Sequence, residues 1–243
     1  MLFSFVSGKP AAMIRRERLL VVGDTHIGKE FFLARGGIHF TDASRKMAQD
    51  LLSTLCAERA KGLVILGDVK ESIGYPPRKE IEAIASFFNV LDGTDITITK
   101  GNHDAHLSEV LHRLGYRVQI TDELLLKDVA MVHGNAMPSR EVLRKEAIFA
   151  GHSHIAVRRG AVSEKAWLVA RPGRGAKARY GSYNKDCHLV IAPAFSGLIT
   201  GMDFDPTSAR IMPLLRNKVF NPLTAKMYGL DGHAISASRG ALS

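Results

Sequence analysis

Five short apolar runs in this chain each end in a knot of Asp, Asn, Gly and His, and that pattern limits the fold more than any other feature. The knots are Asp24-Thr25-His26, Gly67-Asp68, Gly101-Asn102-His103-Asp104, His133-Gly134 and Gly151-His152-Ser153-His154. The runs before them, 18–23, 63–66, 96–99, 129–133 and 147–150, are short, continuous and bounded by turn residues, as buried strands are. Ala43, Met47, Leu51 and Leu55 recur at helical spacing within 42–60, and a second helical pattern covers 79–91. Strands alternating with helices predict an α/β protein with a largely parallel sheet. Ligands of such sheets collect beyond the carboxyl ends of the strands, so five knots on five strands converge on one place. After residue 115 the pattern turns β-rich, with runs at 117–120, 129–133, 147–150, 166–170, 188–193 and 197–203.

The residue types in the knots define the chemistry. In an extended segment residues i and i+2 face the same way, so Asp24 and His26 can grip one ion together, and His152 and His154 can do the same. Asp24, His26, Asp68, Asn102, His133, His152 and His154 are too many ligands for one ion. Two ions sharing a carboxylate use them all, and Asp68, alone after its strand, is the natural bridge. Carboxylate, carboxamide and imidazole together suit first-row divalent cations: manganese is the first expectation, with iron, zinc or nickel as alternatives. No cysteine takes part, which argues against a structural zinc site. A pair of such ions polarises a phosphoryl group and generates hydroxide near neutral pH, so the chain reads as an enzyme hydrolysing phosphoric esters. His103 is left over beside Asn102 and is assigned as general acid, with Asp104 orienting or charging its imidazole. One knot alone reads as a turn or a core histidine; five in this order do not.

The rest of the chain is less specific. Its 243 residues, 46% hydrophobic and 23% charged, suit one domain over 1–232, with an aperiodic flexible tail at 233–243. There is no apolar run long enough to cross a membrane and no secretory h-region, and two cysteines cannot make a disulfide framework, so a cytoplasmic protein is expected. Cys56 reads as helix core and Cys187 as strand packing. The formal charge is +9, and eight basic residues against two acidic ones mark 158–186 as an exposed basic loop. That excess tilts the expected phosphoester substrate toward a nucleotide or nucleic acid. Trp167 beside it reads as a half-buried sheet aromatic rather than a base-stacking platform. Glu30 and Glu71 read as second-layer acceptors for the ligand histidines, or as turn residues. Lys29 and Lys70 are candidates for touching a phosphate. His39, His106, His112, His188 and His233 match no knot and read as surface or packing residues. The sequence does not set an oligomeric state.

The order D-x-H, GD, GNHD, H-G, GHSH resembles the calcineurin-like metallophosphoesterase superfamily over residues 18–157. The resemblance implies a four-layer α/β/β/α sandwich, two packed mixed β-sheets flanked by helices, around a dinuclear site. It implies one ion on Asp24, His26 and His154, the other on Asn102, His133 and His152, and Asp68 between them. His103 matches the family's proton-donating or transition-state-stabilising histidine. Protein Ser/Thr phosphatases of the superfamily carry GD-x-x-D-R-G and GNHE. Here Gly67-Asp68-Val69-Lys70-Glu71-Ser72 and a terminal Asp104 stand instead, which argues against a phosphoprotein substrate. The stretch Asp24-Thr25-His26-Ile27-Gly28-Lys29-Glu30, and more softly 191–201, is similar to small prokaryotic phosphohydrolases related to DNA-repair nucleases and DNA-ligase-associated phosphoesterases. Little chain remains for the DNA-capping region that large repair nucleases carry. Two alternatives follow: a nuclease subunit working with a DNA-repair partner, and a non-catalytic scaffold, which the filled ligand positions oppose.

Overall fold

The computed structural model describes residues 2–207 and 212–235. Its first sheet runs in the order β1 (Phe3–Phe5), β2 (Ala11–Ile14), β3 (Leu19–Val22), β4 (Gly62–Ile65), β5 (Asp95–Thr99), β6 (Gln119–Thr121). The hairpin β1–β2–β3 is antiparallel and β3 to β6 are parallel. Helices α1 (Lys29–Arg35), α2 (Ala43–Ala57), α3 (Arg78–Val90) and α4 (Leu107–Arg113) supply the crossovers. The second sheet is built from β7 (Glu123–Leu125), β8 (Val129–Val132), β9 (Ala147–Ala150), β10 (Ile155–Arg159), β11 (Val162–Ala170), β12 (His188–Ile191) and β13 (Met202–Asp203). Its path is β13-β10-β11-β12-β9-β8-β7, with β14 (Lys226–Gly229) on β11 and β15 (Ala234–Ile235) on β14.

Three separate cores make four layers. Leu20, Val22, Ile65 and Ile98 pack outward against Leu51, Ile84, Phe87 and Val110 of the helices. Ile14, Val21, Val64 and Leu66 face Met131, Phe149, Trp167 and Val190 across the gap between the sheets. Ile148, Leu168 and Leu189 pack on the far side against Tyr180, Leu214 and Phe220, from α5 (Arg174–Tyr180) and α6 (Pro213–Arg216) and the turn beyond it. The fold is the expected α/β/β/α sandwich of two mixed sheets. Strands β2, β4, β8 and β9 are buried on both faces, which is why they read as unbroken apolar runs rather than alternating ones.

Register brings the knots together. Val22, Ile65 and Ile98 form one row across the first sheet, and Val132, Ala150 and Ile191 one row across the second. Every knot begins one to three residues past its row. A parallel bridge from Gly23 to Ala194 ties the two sheets together at that end.

Several expectations change. Residues 158–186 are not one loop: they hold the end of β10, all of β11 and α5, because Ala166, Trp167, Leu168 and Ala170 bury completely in the sheet. Their charge is also partly cancelled. Arg158 pairs with Asp203 at 2.7 Å, Arg159 with Glu164 at 3.7 Å and Arg171 with Asp186 at 3.7 Å, and Lys165 turns inward. Trp167 is fully buried and stacked on Phe5, with ring centroids 4.5 Å apart. In 197–203 only Met202–Asp203 is strand. Of the expected tail, Ala234–Ile235 form β15, and 236–243 lie outside the described residues. Cys56 is exposed, whereas Cys187 is buried with its thiol pushed up to about 12 by burial. No helix among the described residues is long and apolar enough to cross a membrane.

Candidate metal centre

The knots are not extended. Asp24, His26, Asp68, His152 and His154 have φ of 52°, 44°, 47°, 69° and 41°, half of the ten non-glycine residues with positive φ among those described. The i, i+2 convergence inferred for an extended chain is therefore reached through left-handed residues on either side of Thr25 and Ser153. Thr25 does turn away, its hydroxyl donating to the Val69 carbonyl at 3.0 Å. Such backbone is disfavoured for residues with a Cβ and persists where its surroundings over-determine it. Two glycines supply the space. Gly67 has φ of +78°, and a Cβ there would stand 2.5 Å from His133 Nδ1. At Gly101 it would stand 2.3 Å from both the amide nitrogen and Oδ1 of Asp68.

Three groups of donors result among the described residues, each with its ligating atoms within 4.8 Å of one another: His26, Glu71 and His103 form one, and the two that gather the expected ligands are Asp24, His26, Asp68 and His154, and Asp68, His133 and His152. Asp68 belongs to both of the latter. Nε2 of His26 and Nε2 of His154 lie 3.2 Å apart, and Nε2 of His154 is 3.3 Å from Asp24 Oδ1. In the group of Asp68, His133 and His152, His133 Nε2 is 3.2 Å from His152 Nδ1 and 3.3 Å from Asp68 Oδ2. Asn102, exposed at the rim, brings Oδ1 to 3.2 Å from His133 Nε2. All seven residues singled out in the sequence are thus gathered at one site.

This donor set fits cations. His133 Nδ1 lies 2.7 Å from the Leu66 carbonyl, and a carbonyl only accepts, so Nδ1 carries the hydrogen and the Nε2 lone pair faces the cluster. His26 Nδ1 lies 2.9 Å from Glu71 Oε2 as an ion-pair contact without hydrogen-bond alignment, and its Nε2 faces inward toward His154 Nε2. Lone pairs and carboxylate oxygens that confront one another at this range need a proton or a metal ion between them. Burial alone would raise the Asp68 pKa. The hydrogen bond and charge of His133, the His103 amide and the His26 charge outweigh that, and hold it well below the usual carboxylate range. Burial would lower His133, but Asp68 and Asp24 push it up to about 9. His152 is lowered, first by burial and then by the His133 charge.

His103 is half-buried, with its amide on Asp68 Oδ1 at 2.9 Å, its ring Nδ1 at the Glu71 carbonyl and its ring centroid 5.0 Å from that of His26. Asp104 does not orient it. The turn at 101–104 sends the Asp104 carboxylate back to the amides of Gly101 and Val69, both at 2.8 Å, and burial raises its pKa against those two donors. It braces the loop, and the Glu71 carbonyl holds the ring. Glu71 also fills the second-layer role, its Oε1 paired with Lys29 at 2.7 Å. Glu30 does not, since it accepts from the Ser44 hydroxyl at 2.6 Å. Lys70 is fully buried, its ammonium donating to the carbonyls of Ser72 and Gly74, so it cannot meet a phosphate. None of the five unassigned histidines enters any of these groups.

The structural role of one stretch, noted in the sequence only for its family likeness, is set by the fold. The segment after β12 closes over the centre, Phe195 N donating to the Gly23 carbonyl at 2.7 Å and Ser196 N to the Asp24 carbonyl at 3.4 Å. Lys165 Nζ holds it from behind through the carbonyls of Ala194 and Ser196, at 2.7 and 2.6 Å. Burial pushes this lysine down to about 8. In the sequence, 191–201 carries only its soft likeness to the small phosphohydrolases, and Lys165 opens the otherwise apolar run Lys165-Ala166-Trp167-Leu168.

The calcineurin-like phosphoesterase superfamily domain matches residues 18–189, which include every member of both donor groups. The chain belongs to the calcineurin-like phosphoesterase superfamily. As a member it is a metal-dependent phosphoric ester hydrolase. No curated protein matches it significantly. Among solved structures, Pseudomonas putida nuclease MPE is similar in fold, with a TM-score of 0.62 and 17% identity over 94% of this chain and 97% of that one. YfcE, a phosphoesterase from E. coli, matches with a TM-score of 0.39 and 15% identity over 90% of this chain and 96% of that one.

Proposed function

We propose that this superfamily member is a dinuclear phosphodiesterase, with monoesters as secondary substrates, acting on nucleotide or nucleic-acid-related esters in the cytoplasm. The observation that carries this reading is that Asp68 belongs to both donor groups. Asp24, His26 and His154 would hold one cation, Asn102, His133 and His152 the other, and Asp68 both. Manganese is the first expectation for a mixed oxygen and imidazole set. When bound, the pair supplies polarisation of the phosphoryl group and a hydroxide nucleophile near neutral pH.

The chain's own residues do the rest. Glu71 pairs with the His26 ring at Nδ1, and the Leu66 carbonyl fixes His133. The Glu71 carbonyl keeps the His103 proton on Nδ1, so His103 Nε2 is protonated only in the imidazolium form. From that form it donates to the leaving oxygen and is left as the neutral, already oriented tautomer. The formal charge of +9 favours anionic substrates, and likeness in fold to a nuclease supports the nucleic-acid side. The same likeness supports a second reading, a nuclease subunit that works with a DNA-repair partner; co-purification with such a partner tests it.

The test is hydrolysis of bis-p-nitrophenyl phosphate and p-nitrophenyl phosphate by metal-stripped protein before and after adding Mn²⁺. Turnover is expected only with metal, greater on the diester, and lower in His103→Ala by about a hundredfold or more. Equal turnover in His103→Ala removes the proton donor from the scheme. No turnover of either ester with two ions bound per chain overturns the dinuclear phosphodiesterase reading.

A further inference from the structure

Two cavities flank the centre, and their walls differ. One, of about 260 Å³, opens beside His26 and is bounded by Ser44, Met47, Phe195, Ser196 and Leu198. The other, of about 380 Å³, opens beside His133 and has Asp122 and Glu123 in its wall. A phosphoryl group bound at the centre would lie between these two flanks, so whatever is esterified to it would extend into one or the other.

The His26 cavity has the features that a nucleoside requires. Met47, Phe195 and Leu198 offer the apolar surface against which a flat ring packs, and a thioether adapts to an aromatic edge. The buried Ser196 hydroxyl accepts from the Leu198 amide at 3.4 Å, leaving its own hydrogen free for a ring carbonyl or nitrogen. The two carboxylates in its wall are already engaged, Glu30 by Ser44 and Asp50 by Lys9, and the exposed Lys46 adds positive charge. At the His133 flank Lys100 stands beside Asp122, and Glu123 is engaged by the Ser139 amide and hydroxyl, both at 2.6 Å, so the flanks differ in their apolar surface rather than in free charge. The volume lies just under the roughly 300–1,000 Å³ of common small-molecule sites, enough for one nucleoside and too little for a duplex. The wall is also fixed in place: Lys165 grips the carbonyls of Ala194 and Ser196, and the Phe195 amide bonds Gly23.

We propose that the cavity at His26 is a nucleoside subsite, which receives the sugar and base on one side of the scissile phosphate. It makes single nucleotide esters, or an unpaired nucleotide of a strand, the preferred substrates. This rests on the phosphoesterase reading and goes beyond it by naming the group that the site selects.

Two esters with the same leaving group test it, the p-nitrophenyl ester of thymidine 5′-monophosphate and methyl p-nitrophenyl phosphate, each with Mn²⁺. The thymidine ester is expected to show at least about tenfold higher kcat/KM, and Leu198→Trp, which fills the cavity, to bring that ratio to within about twofold of one. A wild-type ratio near one, or a ratio that survives in Leu198→Trp, overturns the subsite while the methyl ester still reports an active phosphoesterase. If neither ester is hydrolysed, equilibrium binding of thymidine 5′-phosphate against inorganic phosphate decides. At least about tenfold tighter binding of the nucleotide, lost in Leu198→Trp, upholds the subsite, and equal affinity overturns it.

Discussion

The two sheets contribute unequally to the centre. The first sheet brings both carboxylates, Asp24 and Asp68, together with Asn102 and His103, on loops braced by buried charged groups. Asp104 accepts from the amides of Gly101 and Val69, Glu80 from those of Glu71 and Ser72, and Lys70 donates to the carbonyls of Ser72 and Gly74. The second sheet brings only the imidazoles of His133, His152 and His154, and borrows its anchors from the first. His133 rests on the Leu66 carbonyl, and the His152 amide on the Asp24 carboxylate at 3.0 Å. The left-handed residues divide three to two between the sheets, at on the order of 1–3 kcal/mol each, and the bracing lies mainly under the three. The difference teaches that the first sheet is the preformed half of the site, while the second sheet's ligands are held where they are by docking onto it.

Asp68→Asn breaks that arrangement where the halves meet, and has the largest expected effect. Asparagine keeps the shape, and its carbonyl oxygen can still accept the His103 amide, so the fold is expected to survive. The charge shared by both donor groups is lost, and turnover of the diester should fall by about a thousandfold or more. Metal analysis after dialysis should find fewer ions per chain than in wild type. Turnover within about tenfold of wild type, with both ions retained, would show that the halves do not depend on a common carboxylate.

Glu71→Gln sharpens the comparison from the first-sheet side alone. It removes the charge that pairs with His26 at Nδ1 and leaves His133 on its Leu66 carbonyl. Loss of such an outer partner costs about 10–100-fold in metal affinity. One of two titration steps with Mn²⁺ should therefore weaken while the other stays. Two steps weakened equally would mean that the halves bind as a single unit.

The sequence was informative where chemistry is local and silent where it depends on distant backbone. Residue types and order in Asp24–His26, Gly67–Asp68 and Gly151–His154 were enough to nominate the ligands, because each knot is short and follows an apolar run. Strands β4, β8 and β9, sandwiched on both faces, read correctly for the same reason. The left-handed φ of five ligand residues left little trace, since Asp and His are enriched at positive φ but adopt it in only a minority of their occurrences. Asp104 was misassigned because adjacency to His103 in sequence hid a carboxylate that folds back onto Gly101 and Val69. The hairpin β1–β2, helices α1 and α4, and the strand at 162–165 were missed. They are short, and apart from β2 mostly half-exposed, so their periodicity is weak. The basic segment misled in another way: charge was counted without the carboxylates that tertiary packing brings to Arg158, Arg159 and Arg171.

Lys165→Met leaves both donor groups untouched and probes the second sheet's brace. Burial pushes the Lys165 ammonium down to about 8 from an ordinary 10.5. Between those values the unfolded chain holds the proton and the folded chain does not, so wild-type stability rises with pH through that window relative to Lys165→Met. The full excursion is about 3 kcal/mol at roughly 1.4 kcal/mol per pH unit. Below pH 8 both states are protonated and the difference between the two proteins is constant, its sign set by the burial cost of the ammonium against its two carbonyl bonds. Paired urea unfolding of wild type and Lys165→Met from pH 7 to 10.5 measures this directly, because shared titrations of the metal-free centre cancel in the comparison. A difference that rises above pH 8 means that burial governs the lysine and that the wall of the His26 cavity is held by an ammonium only up to about pH 8. A flat difference means that the carbonyls of Ala194 and Ser196 fully offset burial, and the second sheet then has a brace as firm as those under the first.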